Sequence, residues 1–138
     1  MKPVNRRRLL DSFALLAWLN EEPGVDRVDG LLKAARRSHR SLLMNAINVG
    51  EVYYIRAKDG SPALAEAFLD RLPMWPIDVV QNAFDDVLAA ARLKARFPIS
   101  YADAFAAATA MRTDAILVTG DPEFHALEAL IEIDWLPS

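Results

Sequence analysis

Short apolar runs alternate with amphipathic stretches along almost the whole chain, and this alternation constrains the fold more than any other feature. Arg8–Asp11 reads as a short apolar strand ending on a carboxylate. Ser12 then starts a helix to about Asn20, with Phe13, Leu16 and Ala17 on one face. Glu21-Glu22-Pro23-Gly24 breaks it, and a second helix over Val25–His39 turns Val28, Leu31, Leu32 and Ala35 inward. Ser41–Met44 predicts a second strand, after which Asn45 caps a helix to about Lys58. Asp59-Gly60-Ser61-Pro62 is a turn, with Pro62 opening the next helix, which runs to about Leu72. Met74–Asp78 predicts a third strand, and Pro76 inside it points to a sheet edge. A long helix is expected over Val80–Phe97, and an alanine-rich one, capped by Ser100, to about Arg112. Ala115–Val118 reads as a buried strand, Thr119–Pro122 as a turn into a short helix, and Leu130–Asp134 as the last strand. Strands alternating with helices predict an α/β fold, a parallel sheet covered by helices on both faces. No linker or repeat interrupts the pattern, so residues 1–138 are expected to form a single domain.

Composition removes several classes of function. Cysteine is absent, which excludes disulfide scaffolds, thiolate zinc sites and cysteine nucleophiles. The net charge of −3 does not suit a protein that coats nucleic acid by charge alone. Two local basic clusters stand out, Arg6-Arg7-Arg8 and Lys33, Arg36, Arg37, His39 and Arg40. Each reads as a solvated face or as a phosphate or partner contact. Basic residues before Leu9–Leu19 mimic a secretion signal, but Asp11 interrupts the apolar run, and Asn20, Glu21 and Glu22 stand where small cleavage-site residues belong. A cytoplasmic location without membrane association is therefore expected, and no run reaches the ~18 apolar residues of a span.

The acidic residues fall where an open parallel sheet binds ligands, beyond the carboxyl ends of its strands. Asp11 ends the first strand, and Asp121 follows the strand Ala115–Val118. Asp103 lies in the first turn of the helix capped by Ser100, and Glu51 lies in the helix after the second strand. Each has an ordinary reading as well. Asp11 and Asp121 suit helix caps, Ser100-Tyr101-Ala102-Asp103 resembles a capping box, and Glu51 suits an exposed helix face. Converging carboxylates repel one another unless a cation joins them, and all-oxygen ligands select a hard ion such as Mg²⁺, Mn²⁺ or Ca²⁺. Such a centre suits phosphodiester hydrolysis.

The same residues carry a resemblance. Leu9-Leu10-Asp11-Ser12-Phe13-Ala14-Leu15-Leu16-Ala17, Asn48-Val49-Gly50-Glu51-Val52, Ile99-Ser100-Tyr101-Ala102-Asp103-Ala104-Phe105 and Leu117-Val118-Thr119-Gly120-Asp121-Pro122-Glu123-Phe124 resemble, in order and spacing, the four motifs of PIN domains. The length is similar to that of the VapC-type toxins of toxin–antitoxin pairs. The resemblance implies a three-layer α/β/α sandwich with a mainly parallel sheet of about four or five strands. It implies Mg²⁺ or Mn²⁺ bound through Asp11 and Asp103, with Glu51 and Asp121 completing the centre. It further implies endonuclease action on RNA, of the tRNA or ribosomal class, inhibition by a small cognate antitoxin, and a homodimer. A PIN-fold module that binds RNA or protein without catalysis is the alternative. Phe13 stands where a small or polar residue is common in the family, and Met1–Arg7 forms a longer N-terminal extension than many members have.

Other Asp-based phosphotransfer folds fit less well. A haloacid-dehalogenase-like phosphatase needs a second Asp two residues after the first, where Phe13 stands, and a receiver domain needs a late Lys, yet none follows Lys94. Ser12 and Thr119 place hydroxyls beside the expected metal, as ligand-orienting groups or as a cap and a strand end. His39 and His125 read as surface residues, and Glu123 as a charge in a first helical turn or a fifth carboxylate. Trp18, Tyr53, Tyr54, Trp75 and Trp135 suit core or interface packing or base stacking.

Overall fold

The computed structural model describes residues 6–137. Five short strands, β1 (Arg8–Leu10), β2 (Leu42–Asn45), β3 (Ile77–Val80), β4 (Ile116–Thr119) and β5 (Ile133–Trp135), form one sheet in the order β3-β2-β1-β4-β5. Every pairing is parallel, with Leu9 opposite Leu43 on one side and Leu117 on the other. Six α-helices connect them, namely α1 (Ser12–Leu19), α2 (Val25–Ser38), α3 (Ala46–Asp59), α4 (Pro62–Arg71), α5 (Phe84–Arg96) and α6 (Tyr101–Thr113). The expected sandwich is present, and none of the helices is long and apolar enough to cross a membrane.

The two-residue period of the strands sorts the core into two halves. Leu9, Leu43 and Leu117 face α5, α6 and the 3-10 helix Pro122–Leu127. Leu10, Leu42, Met44 and Val118 face the layer built from α1, α2, α3 and α4. All of these side chains are buried, and each contributes roughly 1.5–3 kcal/mol through burial. Helix α6 is buried continuously from Asp103 to Ala110. Five of those eight residues are alanine, so the helix can sit close to its neighbours on all sides.

Three elements start more than one residue from the sequence expectation, each for a local reason. The third strand begins at Ile77 rather than Met74, because Leu72–Met74 closes a 3-10 turn. Pro76 precedes the strand and offers only its carbonyl, which accepts from the Leu42 N–H at 2.8 Å. The strand does lie at the sheet edge. Helix α5 begins at Phe84 rather than Val80, where the Ala83 N–H donates to Asp86. The last strand begins at Ile133 rather than Leu130, because the Leu130 and Ile131 N–H groups turn back to the Leu127 carbonyl.

The Arg6-Arg7-Arg8 cluster spreads across the sheet. Arg6 pairs with Glu132 at 2.6 Å and with Asp114 at 3.5 Å. Arg7 pairs with Asp78 at 2.7 Å and donates twice to the Ser41 carbonyl. Arg8 shares Asp134 with Arg27. These three guanidiniums therefore bind the chain to itself rather than lying as a bare basic face. Of the N-terminal extension, Met1–Asn5 lie outside the described residues.

Candidate metal centre

Because β2 and β4 flank β1 on opposite sides, the chain leaves β1 in one direction and returns to its other edge later. Such a reversal opens a crevice at the carboxyl ends of the central strands. Asp11 follows β1 there and is the N-cap of α1, with its Oδ1 accepting the Ala14 N–H at 2.9 Å. Its Oδ2 accepts the Thr119 hydroxyl from the end of β4 at 2.5 Å. The Thr119 hydroxyl also accepts the Asp121 N–H at 3.0 Å, so one buried side chain joins two of the acidic positions. Asp121 caps the following 3-10 helix by accepting the Glu123 N–H. Glu51 reaches the rim from α3, where the Ser12 hydroxyl donates to it.

Capping and membership of the cluster are thus compatible. Asp11 and Asp121 are caps and still face their acidic neighbours. Asp103 differs. Ser100 caps α6 by accepting the Asp103 N–H, but the reciprocal bond of a capping box is absent from Asp103. The Ser100 N–H instead donates to Glu123 at 2.8 Å. The carboxyl of Asp103 hydrogen-bonds Glu123 and Asp121. Oxygens of Asp103, Asp121 and Glu123 lie within 4.8 Å of one another. Glu123 does lie in a first helical turn, as expected, and its carboxylate also joins Asp103 and Asp121, in line with the second reading as a further carboxylate, while it accepts the Ser100 N–H. The capping-box pattern at Ser100 was the available signal, since its N3 position holds Asp where Glu or Gln is usual.

Of the four expected acidic residues, Asp103 and Asp121 bring oxygens within 4.8 Å of one another, with Glu123 as the third member, whereas Asp11 and Glu51 stand outside that group but within electrostatic reach of acidic neighbours. Asp11 feels the charges of Asp121 and Glu51, and Asp103 feels those of Asp121 and Asp11. Burial pushes the Asp11 carboxyl up to about 7, against the lowering effect of its bonds from Thr119 and Ala14. Burial, the bond to Glu123 and the nearby carboxylates push Asp103 up to about 9. Glu123 is lowered by the same Asp103 bond and by the Ser100 N–H. The ion pairs of the described residues leave out Asp11, Glu51, Asp103 and Asp121. Beside them, the fully buried Asn48 donates to the Ala102 carbonyl but leaves its Oδ1 without a hydrogen-bond partner. A crowded set of oxygen donors with no cation of its own fits a hard divalent ion.

Residues 8–130 match the PIN domain family. The chain belongs to that family. Solved structures with the same fold include VapBC2 of Rickettsia felis bound to a DNA fragment from its promoter, 16% identical, with a TM-score of 0.74 over 94% of this chain and 98% of that one. VapC20 of Mycobacterium tuberculosis, a sarcin-ricin loop cleaving toxin, is 16% identical, with a TM-score of 0.72 over 94% and 99%. FitAcB of Neisseria gonorrhoeae is 21% identical, with a TM-score of 0.63 over 91% and 95%. Curated protein sequences give no match.

The two histidines of this PIN domain stand apart from the acidic set. His39 is exposed at the end of α2, and His125 is exposed, stacked on Trp135 and bonded to Glu128. Trp18 and Trp75 pack edge to face against the α1–α4 half of the core, and Tyr53 packs there too. Tyr54 is exposed. Phe13 lies directly against Gly120, where an added Cβ would collide with its ring. That close approach requires glycine at position 120.

Proposed function

We propose that this PIN domain is a metal-dependent endoribonuclease, with Asp11, Glu51, Asp103 and Asp121 holding Mg²⁺ or Mn²⁺. The observation that carries the reading is the convergence of four carboxylates without a paired cation, two of them pushed far above the ordinary carboxylate range. Natural structures tolerate such repulsion where a function uses it. When bound, a divalent ion offsets the charge that grows on a phosphodiester and makes the attacking water more acidic.

The protein's own groups do the rest. Thr119 and the Ala14 N–H fix both oxygens of Asp11, so its carboxylate is oriented before substrate arrives. Ser12 does the same for Glu51, and the Glu123 N–H for Asp121. In the hydrolysis, water adds to phosphorus and one ester P–O bond breaks, with the cleaved ribose oxygen leaving as a hydroxyl.

We place the protein in the cytoplasm as the toxin of a VapBC-type pair, acting on RNA of the transfer or ribosomal class and pairing with a second copy of itself. The likeness to a sarcin-ricin loop cleaving toxin and to toxin–antitoxin complexes supports both the RNA substrate and a small cognate antitoxin. The test is cleavage of total cellular RNA by purified, antitoxin-free protein with Mg²⁺, with Mn²⁺ and with EDTA. Discrete fragments that require the metal are expected. A folded protein that cuts nothing with either ion would instead be a non-catalytic PIN module that binds RNA or protein.

A further inference from the structure

A capping box normally works within one helix turn, with the N3 side chain returning to the N-cap N–H. In α6 the N3 residue is Asp103, and its own N–H is already held by Ser100 Oγ at 3.1 Å. If Asp103 completed the box, its carboxylate would fold back on Ser100 and leave the rim. Glu123 prevents this from the other side of the crevice. Its Oε1 takes the Ser100 N–H at 2.8 Å, while its own N–H is held by Asp121 Oδ1 at 2.9 Å. One residue thus links the loop after β4 to the start of α6 and satisfies the donor that Asp103 would otherwise satisfy.

We propose that Glu123 is a positioning residue that caps α6 from a distance and so keeps the Asp103 carboxyl turned from Ser100 towards the metal centre, where the two carboxyls meet. This rests on the metal-centre reading above and adds a residue to it. The essential property is the acceptor oxygen facing Ser100, not the negative charge. Glutamine at position 123 keeps that oxygen, and alanine removes it.

The experiment measures Mn²⁺ affinity by electron paramagnetic resonance on RNA-free protein, for wild type, Glu123→Gln and Glu123→Ala, with circular dichroism confirming the fold of each. Groups that orient metal ligands typically contribute 10–100-fold in metal affinity. Glu123→Ala is expected to bind Mn²⁺ about 10-fold or more weakly, and Glu123→Gln to stay within about threefold of wild type. Rescue by glutamine supports the positioning role. Equal loss in both variants overturns it, because the charge would then be what matters, and wild-type affinity in Glu123→Ala overturns it too. If Glu123→Ala does not fold, Glu123→Gln alone decides by the same threefold criterion. The readout needs no RNA, so a protein that binds Mn²⁺ in this pattern but cuts nothing refutes the ribonuclease and leaves the role of Glu123 standing. A wild type that binds no Mn²⁺ refutes both.

Discussion

Strand β1 is only three residues long, yet its two ends treat charge in opposite ways. At its start, Arg6, Arg7 and Arg8 meet Asp78, Asp114, Glu132 and Asp134, so both signs are present and paired. Just past its end, the charges that Asp11 meets are those of Asp121 and Glu51, both acidic. The paired end fastens β1 to carboxylates on or beside β3, β4 and β5. The unpaired end gathers like charges that repel one another. A group of like charges kept together at a cost to stability signals that something outside the chain completes it.

Breaking the acidic end should have the largest effect. Asp11→Asn is expected to lower RNA cleavage about a thousandfold, equivalent to roughly 4 kcal/mol of transition-state stabilisation. Its metal-free melting temperature should equal or exceed that of wild type, since the substitution removes a buried carboxylate from a repulsive group. Cleavage at the wild-type rate would sink the assignment. Thr119→Val removes the hydroxyl that joins Asp11 to Asp121 without changing side-chain volume much. We expect metal affinity to fall about 10–100-fold, read by the Mg²⁺ concentration that gives half-maximal cleavage.

Titration sharpens the contrast. The Asp11 and Asp103 carboxyls are raised from 3.8 to about 7 and about 9, so the folded protein holds protons that the unfolded chain has already released. Their contribution to stability is complete below the unfolded value near 4. It is lost as pH rises through 7 for Asp11 and towards 9 for Asp103, at up to about 1.4 kcal/mol per pH unit for each proton. The metal-free melting temperature should therefore fall between pH 5 and 8, and saturating Mg²⁺ should flatten the slope. A flat metal-free profile would mean that the carboxylates are not crowded in solution. The smallest effect belongs to the paired end. Asp134→Asn leaves Arg8 and Arg27 without their shared carboxylate and should cost about 1 kcal/mol, or roughly 3–5 °C in melting temperature. Cleavage should stay within about twofold of wild type, and a larger loss would show that the two ends are coupled.

The sequence exposes the acidic end better than the paired one. Asp11 and Asp121 directly follow β1 and β4, and local pattern is enough to place them at the rim, whereas Asp103 opens a helix that follows another helix and Glu51 lies inside α3. The acidic partners of Arg6, Arg7 and Arg8 lie 71–126 residues away, where no periodicity can find them. Strand order is hidden for the same reason, since nothing local says that β1 sits between β2 and β4. Glu123 was half legible, because a first-turn acid after a cap has a sufficient local explanation. Met74–Asp78 misled because an apolar run containing Pro76 can be a strand or the approach to one, and the 3-10 turn at Leu72–Met74 decided for the approach.

The bond between Thr119 and Asp11 closes over 108 residues of chain. Asp11 is synthesised 108 residues before its threonine partner on β4. At roughly 5–20 residues per second, several seconds separate the two. A nascent chain therefore carries half of an acidic pocket until β4 is made, and the pocket can close only then. On the metal-centre reading proposed above, the order in which the strands are made would delay assembly of the centre until β4 exists.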